Sequence, residues 1–599
     1  MRLILAISRS RPEAGPSATE RARQAFTALT GAPPLLVAEG GTETVYGHQP
    51  DGDDLVDPSD PRFCALLQRS RYTIEGSTFN GPDILNKLRG DRRETLRSIA
   101  PPFGVCYRAD PEGPVVLATD SAGLRQVYYW QGPDWAAMTS SGLILSWVVG
   151  APINEEALAT FATVGNYLLD QTLFVGVRKL EAGVACVLRD GRIDHDVYTA
   201  NDAWAPVGSG GRQGQAARGV TVLREVVGAA LEAYPDAALE LSGGFDSRAV
   251  LAAIPPAARE GRMALTLGVP GDADIRVAKE LARRYRLDHR IVDLSRMNEL
   301  EPSEVLDFAR GAARRRDCMA NPVATGVLDW VASQVEQRPR FSGGNAEFGR
   351  AHLYPGNSQK DEITDEMVER LARWRIMANH SADAMVLSDA FVASGREAAL
   401  RSLGQDIRSY QVDWLRSLDE YYSRSRFQRW AGIEYTGAGY DRVVLAPFTQ
   451  LAYYDWVRHC DPNDRRASRV FAAMFDLLDP DLAALPMATG VSPHEIAVGG
   501  PRALAKRMFV GTAQTTSKAW QRARRARRGA AGTAQLSELV VRAWGVDDPL
   551  PRLERYHFLD LEGVGRAVRG EHAVDVATVG LLTDLEVLSD FVDRAAATP

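Results

Sequence analysis

The hydrophobic positions of residues 1 to about 200 fall in short runs, each bounded by residues that favour turns. Such runs between turn signals are typical of antiparallel strands. The clearest are residues 103–107, 115–118, 126–130 and 184–188. Two antiparallel sheets packed face to face would bury them, so we expect a β-sandwich here, with a helix at residues 154–163.

From residue 219 onward, helical patterns alternate with short buried strands. This alternation, followed by a third strand that begins at Ile291, is typical of a parallel sheet in an α/β domain. The predicted elements are helix 219–234, strand 237–241, helix 248–254, strand 263–269 and helix 274–285. Residues 201–218 are rich in Gly, Ser, Ala and Arg and predict a linker.

A chain of 599 residues is too long for a single hydrophobic core. We therefore expect four parts: a sandwich domain (1–200), the linker (201–218), an α/β domain (219–520) and a helical C-terminal extension (521–599). The extension contains five arginines between positions 522 and 528, which we expect to lie on a solvated helix or loop.

Charge, hydropathy and cysteine content narrow the function classes. A net charge of −7 gives no electrostatic reason to expect a nucleic-acid partner. No apolar run approaches the length of a membrane span, and the run near the N-terminus is too short for a signal peptide. Five sparse cysteines without metal-ligand spacing suggest buried thiols, so we expect a cytoplasmic protein.

The strand at 237–241 leads into the string Ser-Gly-Gly-Phe-Asp-Ser at residues 242–247, and a helix follows. A strand, a glycine turn and a helix direct backbone N–H groups at an anion, and glycines let the main chain approach it closely. Ser242 and Ser247 add hydroxyl donors. A carboxylate at Asp246 would repel a phosphate unless a cation lay between them, which predicts Mg²⁺ bridging Asp246 and a polyphosphate.

This loop resembles the pyrophosphate loop of the ATP-pyrophosphatase superfamily, whose members cleave ATP to AMP and pyrophosphate while activating a carboxylate. The resemblance implies an adenine nucleotide α hydrolase-like α/β fold, with ATP and Mg²⁺ as cofactors. It also implies that the adenine lies at the edge of the strand ending at Leu267 and Gly268. The implied nucleotide contacts in this part of the chain are Leu241, Ser242, Gly243, Gly244, Asp246, Ser247, Leu267 and Gly268.

A second loop, Ser-Gly-Gly-Asn-Ala-Glu at residues 342–347, resembles the second nucleotide loop of asparagine synthetases. The resemblance implies that Ser342, Gly343 and Gly344 approach ATP. The family's metal-binding Asp falls on Ala346, so we expect Asp246, phosphates and water to hold a single metal ion. Glu347 is then the candidate for proton transfer or amine positioning.

Two stretches of the first 200 residues, 120–129 and 172–183, resemble the glutaminase-type domain of asparagine synthetase, which implies an Ntn-type α+β sandwich. In that family the nucleophile is a Cys directly after the initiator Met, and here the position holds Arg2. We therefore expect a degenerate domain that does not release ammonia from glutamine, but serves as a scaffold or a docking surface.

Residues 469–486 resemble a helix near whose start asparagine and β-lactam synthetases carry a catalytic Lys. The nearest basic residues here are Arg465, Arg466 and Arg469. An arginine stabilises negative charge but does not readily transfer a proton. We therefore take Arg469 as a candidate catalytic cation and assign no proton-shuttling lysine.

Together these resemblances cover roughly residues 100–490 and imply an ATP-dependent, AMP-forming amide ligase. Without glutaminase chemistry, the attacking amine is expected to belong to the substrate, which makes the reaction a ring closure. We expect a lasso peptide cyclase that joins the N-terminal amine of a core peptide to an Asp or Glu side chain, with a leader-recognition protein and a leader peptidase as partners. The alternatives are a β-lactam-synthetase-like or ammonia-dependent small-molecule amide ligase, and a non-catalytic nucleotide-binding scaffold.

Overall fold

A computed structural model describes residues 1–11, 18–40, 42–49, 60–199, 204, 210–354, 356–377, 381–499 and 532–598. The arginine-rich stretch 522–528 lies outside the described residues. Within them, no helix is both long and apolar enough to cross a membrane.

The strands are β1 (Leu3–Arg9), β2 (Leu35–Gly40), β3 (Glu43–His48), β4 (Phe63–Leu66), β5 (Gly104–Arg108), β6 (Val115–Thr119), β7 (Tyr128–Gln131), β8 (Trp135–Thr139), β9 (Arg178–Lys179), β10 (Val184–Arg189), β11 (Arg192–Val197), β12 (Ala238–Glu240), β13 (Met263–Gly268), β14 (Asp288–Asp293), β15 (Arg340–Phe341) and β16 (Val444–Leu445).

The α-helices are α1 (Ala18–Thr30), α2 (Gly81–Gly90), α3 (Arg92–Ser98), α4 (Gly142–Val149), α5 (Glu155–Val164), α6 (Gly211–Ala233), α7 (Phe245–Ala253), α8 (Ala273–Arg284), α9 (Pro302–Arg315), α10 (Pro322–Ser333), α11 (Ala346–Gly349), α12 (Asp365–Leu371), α13 (Asp389–Ser409), α14 (Trp414–Glu420), α15 (Ile433–Asp441), α16 (Leu451–Arg458), α17 (Pro462–Arg465), α18 (Arg469–Leu478), α19 (Pro480–Ala484), α20 (Pro493–Val498), α21 (Thr533–Trp544), α22 (Leu550–Leu553), α23 (Leu561–Val568) and α24 (Val576–Ala597). A π-helical segment, Tyr421–Ala431, joins α14 to α15.

The first 200 residues form the predicted pair of antiparallel sheets, in the orders β2-β3-β1-β8-β7-β9 and β11-β10-β6-β5-β4. Side chains alternate along β1: Ile4 faces the core between the sheets, whereas Leu5 faces helices α1 and α4. Helices α2 and α3 cover the outer face of the other sheet. The result is a four-layer arrangement of helices, sheet, sheet and helices.

The strands after residue 237 form the predicted parallel sheet, in the order β14-β13-β12-β15-β16. Strand β12 is central, and the chain runs outward from it to β13 and β14 before it returns to its other side as β15. The order of the strands therefore reverses between β12 and β15, and loops at such a switch point open a crevice at the carboxyl ends of the strands.

Helix α6 begins at Gly211, eight residues before its predicted start, so residues 211–218, which we assigned to the linker, are helical. Tertiary contacts explain the difference. The Trp456 Nε1 group donates a hydrogen bond to the Gln215 carbonyl oxygen at 2.8 Å, and Ala216 is fully buried. Packing against α16 therefore outweighs the flexible composition of this stretch.

The C-terminal helices α21 to α24 share one hydrophobic core with α1 and α4 of the sandwich and with α9 and α10. A second contact between the sandwich and the α/β part lies at the edge of the parallel sheet. The Ser70 hydroxyl donates to the Val444 carbonyl oxygen and accepts from the Val444 N–H, both at 3.0 Å. The tail and the sandwich thus both pack against the α/β part.

The carboxyl group of Asp584 lies inside this shared core on α24. Both of its oxygens are shielded from water, and neither has a hydrogen-bond partner among the described residues. Burial raises the pKa of Asp584 well above its ordinary value. The native state therefore keeps a proton that the unfolded state releases above pH about 4, so this group lowers stability increasingly as the pH rises from there.

Replacing Asp584 with leucine should stabilise the protein by about 1–3 kcal/mol, because an unsatisfied polar group is removed from the core. The gain should be larger at pH 8 than at pH 5, as measured by thermal and urea unfolding. The matched control on the same helix is Asp590→Leu, which removes a carboxylate paired with Arg314 and Arg594 and should give no gain. Equal effects of the two substitutions would contradict the prediction.

Candidate active site

The first glycine loop connects β12 to α7 and has no room for side chains at its centre. A Cβ atom on Gly243 would lie 2.8 Å from Asp274 Oδ1 and 2.9 Å from the Ala488 Cβ. The Gly243 N–H donates to Asp274 Oδ1 at 3.0 Å, and the Ser242 N–H donates to the Ser247 hydroxyl at 2.9 Å. These contacts hold the turn in one shape.

These hydrogen bonds change our expectation of which backbone N–H groups of the loop can bind a phosphate. The backbone N–H groups of Ser242, Gly243 and Gly244 already have acceptors, the last of them in the Ser242 hydroxyl at 3.2 Å. The donors left for a phosphate are the first-turn N–H groups of α7, since no side chain caps this helix at Gly244. Asp246 lies in that first turn.

The second glycine loop follows β15, the parallel neighbour of β12, and touches the first. A Cβ atom on Gly343 would lie 3.0 Å from both the Asp246 Cβ and the Ser247 nitrogen. Beside it, the Ser342 hydroxyl lies 3.0 Å from the Tyr435 hydroxyl, which also leaves no space for a side chain at Gly344. Both loops therefore lie at the switch point of the sheet, where α/β proteins bind ligands.

Arg350 joins the two predicted carboxylates. Its Nη1 lies 3.2 Å from Asp246 Oδ1, and its Nη2 lies 3.5 Å from Glu347 Oε1. Burial raises the pKa of Asp246 to about 7, the Arg350 charge opposes that rise, and the Glu347 charge adds to it. The structure thus brings the two candidate carboxylates, Asp246 and Glu347, together through a cation that we did not predict.

The residues at this site fit a magnesium ion that arrives with a nucleotide. Asp246 Oδ1 is shielded from water, and its cation contact among the described residues is the ion pair with Arg350, without a hydrogen bond, so it keeps lone pairs for a metal ion. Ala346, at the position of the family's second acid, is fully buried. Across the described part of the chain, no group of three or more His, Cys, Asp or Glu could hold a metal alone. One carboxylate, phosphates and water form a common Mg²⁺ environment.

The predicted adenine contacts lie at the same edge of the sheet. Leu267 and Gly268 end β13, the other parallel neighbour of β12. Gly268 packs closely on α8, since a Cβ atom there would lie 3.0 Å from the Ile275 Cδ1. Leu241 differs from the expectation because its side chain is buried in the core and its carbonyl oxygen already accepts from the Thr266 hydroxyl at 2.8 Å.

Arg469 begins α18, after two residues with left-handed backbone conformations. Among the described residues it forms no ion pair with Asp246 or Glu347, and its guanidinium lies near Gly499 at the end of α20. Arg465 is buried against Asp419, and Arg466 donates to the Asn357 carbonyl oxygen at 2.7 Å. The catalytic role of Arg469 stays a prediction.

His352 and Tyr422 lie beside Glu347 and were not predicted: the His352 N–H donates to the Glu347 carbonyl oxygen at 3.3 Å, and the Tyr422 ring packs against His352. Burial lowers the pKa of His352 to about 4, against the opposing effect of Glu347. The ring centroids of His352 and Tyr422 lie 5.6 Å apart. One sequence signal was available for the missed arginine: Arg350 follows Glu347 at i+3, which places the two on the same face of a helix.

Residues 220–313, which contain β12, the first glycine loop, β13 and α8, match the family model of asparagine synthase. This segment is asparagine synthase-like. The match supports membership of the asparagine synthetase-like superfamily and an ATP-dependent amide ligase. No curated protein matches the chain in sequence.

Two solved structures resemble parts of the chain weakly. The allosteric regulatory enzyme of purine biosynthesis is 11% identical, with 48% of this chain and 80% of that chain covered and a TM-score of 0.23. The glutamine phosphoribosylpyrophosphate amidotransferase from B. subtilis is 12% identical, with 48% and 65% covered and a TM-score of 0.22. Scores this low carry no argument about the fold.

Substituting Gly343 with alanine should weaken Mg-ATP binding about fivefold or more, because the added Cβ forces the two loops apart at a cost of about 1–3 kcal/mol. Isothermal titration calorimetry would measure the affinity. The control is Gly228→Ala on α6, where an added Cβ meets nothing within 4 Å and the affinity should stay unchanged. Wild-type affinity in Gly343→Ala would show that the contact between the loops does not shape the nucleotide site.

Proposed function

We propose that this chain is an ATP-dependent lasso peptide cyclase. An Asp or Glu side-chain oxygen of the core peptide attacks the α-phosphorus of ATP, the bond to pyrophosphate breaks, and an acyl-adenylate forms. The N-terminal amine of the same peptide then attacks the acyl carbon, loses a proton and displaces AMP. The main support for the proposal is the contact between the two glycine loops at the switch point, where Arg350 pairs with both Asp246 and Glu347.

The state of the cysteines supports an amine supplied by the substrate rather than ammonia released from glutamine. All five cysteines are buried. Burial raises the pKa of Cys106, Cys186 and Cys318 far above that of a free thiol, and that of Cys460 to about 12. A thiol in this state is a poor nucleophile, because the thiolate is the attacking species. Position 2, where the glutaminase family has its nucleophilic Cys, holds a buried arginine of the sandwich.

The roles of the site residues follow from their charges. The first turn of α7 would receive the phosphates, and Asp246 would hold a magnesium ion, which neutralises charge on the departing pyrophosphate. Arg350 places a second positive charge beside them, where the family's second acid is missing. Glu347, held by Arg350 in the next loop, would take the proton from the attacking amine.

The decisive test supplies a candidate precursor peptide, a leader peptidase and a recognition protein, together with Mg-ATP. Mass spectrometry should show a product lighter by one water, together with AMP and pyrophosphate. Asp246→Asn and Glu347→Gln should each reduce the rate by about a hundredfold or more, as expected for loss of charge stabilisation or of a general base. The control Glu369→Gln changes an exposed glutamate and should leave the rate unchanged.

A linear product in every mixture would overturn the proposal. ATP–pyrophosphate exchange then separates the remaining functions. Exchange that depends on a small amino acid rather than on the peptide would identify a small-molecule amide ligase. Equal ATP binding by wild type and Asp246→Ala, with no AMP from either, would identify a nucleotide-binding scaffold.

A further inference from the structure

A cavity of about 920 Å³ lies between the sandwich and the helices that follow the second glycine loop. One wall is the segment 178–182 of the sandwich, in the stretch that resembles the glutaminase domain. The opposite wall combines the end of α13 and the residues that follow it, Gln405, Asp406 and 409–413, with the π-helical segment. Neither glycine loop contributes to this cavity, so it is separate from the proposed nucleotide site.

Most charged groups in the wall of the cavity already have partners, and among the acids of the wall the exception is the exposed Glu181, which forms no ion pair with a described residue. The carboxyl group of Asp406 accepts hydrogen bonds from the hydroxyl groups of Tyr410 and Ser425. Three further acids each form an ion pair with an arginine in the same wall. These pairs are Asp170 with Arg178, Asp413 with Arg416, and Glu420 with Arg424.

Two buried cations in the wall are not balanced in this way. Lys179 is 2% exposed, and among the described residues its Nζ donates only to the Leu180 carbonyl oxygen, at 3.1 Å. Arg429 is 7% exposed and donates to the carbonyl oxygens of Gln171, at 2.8 Å, and Leu169. Within the described residues neither forms an ion pair.

These two positive charges also oppose each other. Burial and the neighbouring Arg429 charge lower the pKa of Lys179 well below its ordinary value, and Asp120 and Glu181 offset this only in part. Burial lowers the pKa of Arg429 to about 10, despite the opposing charges of Asp170, Asp406 and Glu181. Unpaired buried charges are costly, and a carboxylate between them would offset that cost for both.

We infer that this cavity binds a carboxylate-bearing segment of the substrate peptide, with the carboxylate held between Lys179 and Arg429. That the ligand is a peptide rests on the proposed function. The anionic chemistry rests on the two unpaired cations. The volume is far larger than a single small anion needs and falls within the range of pockets that hold ligands of several groups.

The π-helical segment connects the cavity to the active site. Gln428 and Arg429 face the cavity. From the same segment, Tyr422 contacts the His352 ring beside Glu347, and the Phe427 ring lies 6.0 Å from Tyr435, whose hydroxyl contacts Ser342. A peptide held in the cavity is thus separated from the second glycine loop by one segment of helix, and π-helices are frequent at functional sites.

The test measures binding of the pentapeptide amide Gly-Gly-Asp-Gly-Gly and its Asn twin, each carrying a neutral nitrobenzoxadiazole dye, by fluorescence anisotropy. Wild type should bind the Asp peptide about tenfold more tightly, the value of one charge-assisted contact. Lys179→Met and Arg429→Gln should each remove that preference. The matched control Arg178→Gln changes a cation of the same wall that is paired with Asp170, and it should keep the preference.

A second readout locates the bound peptide and requires no change to either cation. Because all five native cysteines are buried, Gln405→Cys adds one accessible thiol at the cavity. A bromoacetyl form of the Asp peptide should label it faster than the Asn form does. Labelling of Arg396→Cys, exposed elsewhere on α13, should not distinguish the two peptides.

Equal binding of the Asp and Asn peptides to wild type would overturn the inference, as would equal losses in Arg178→Gln and Arg429→Gln. Complete displacement of the peptide by an equal concentration of inorganic phosphate would also overturn it, because the site would then take a free oxyanion.

Mg-ATP affinity, measured on the same samples, separates the two proposals. Wild type that binds Mg-ATP normally but shows no preference for the Asp peptide rejects the cavity alone, whereas wild type that shows the preference but binds no Mg-ATP rejects the proposed function alone.

Discussion

The close approach of two main-chain turns at the centre of the parallel sheet is the constraint on which the rest of this site depends. Gly343 lies so near Asp246 and Ser247 that any side chain there would separate the loops. This contact places Glu347 and Asp246, about a hundred positions apart in sequence, within reach of a single guanidinium. Adjacent parallel strands make the approach possible, because their carboxyl ends lie at one edge of the sheet.

Arg350 supplies positive charge at a site where Ala346 stands in place of the family's metal-binding acid. Two carboxylates in a partly buried crevice repel each other, and the Glu347 charge adds to the rise that burial causes in the pKa of Asp246. The guanidinium opposes this effect and keeps both groups in contact with one cation. A metal ion bound at Asp246 would share that carboxylate with Arg350, so one metal and one arginine would supply the positive charge.

The sandwich keeps its packing although it carries no accessible thiol. Its two sheets and outer helices are well buried, and it is tied to the α/β part through Ser70 and Val444 and through the core shared with the C-terminal helices. Segment 178–182 also supplies one wall of the large cavity. A domain of this shape can therefore serve the reaction by holding substrate rather than by releasing ammonia.

Local pattern alone determined the two classes of sheet, the element order around residues 237–285 and the first glycine loop with Asp246, because turns, strand alternation and helix stops are encoded by neighbouring residues. The second glycine loop and Glu347 came from the resemblance of residues 342–347 to a loop of the asparagine synthetases. Tertiary structure alone decided that residues 211–218 are helical, that Arg350 joins the two acids, and that Lys179 and Arg429 line one cavity. Each of these depends on partners far away in the chain, and no local pattern specifies which distant surface a side chain will meet.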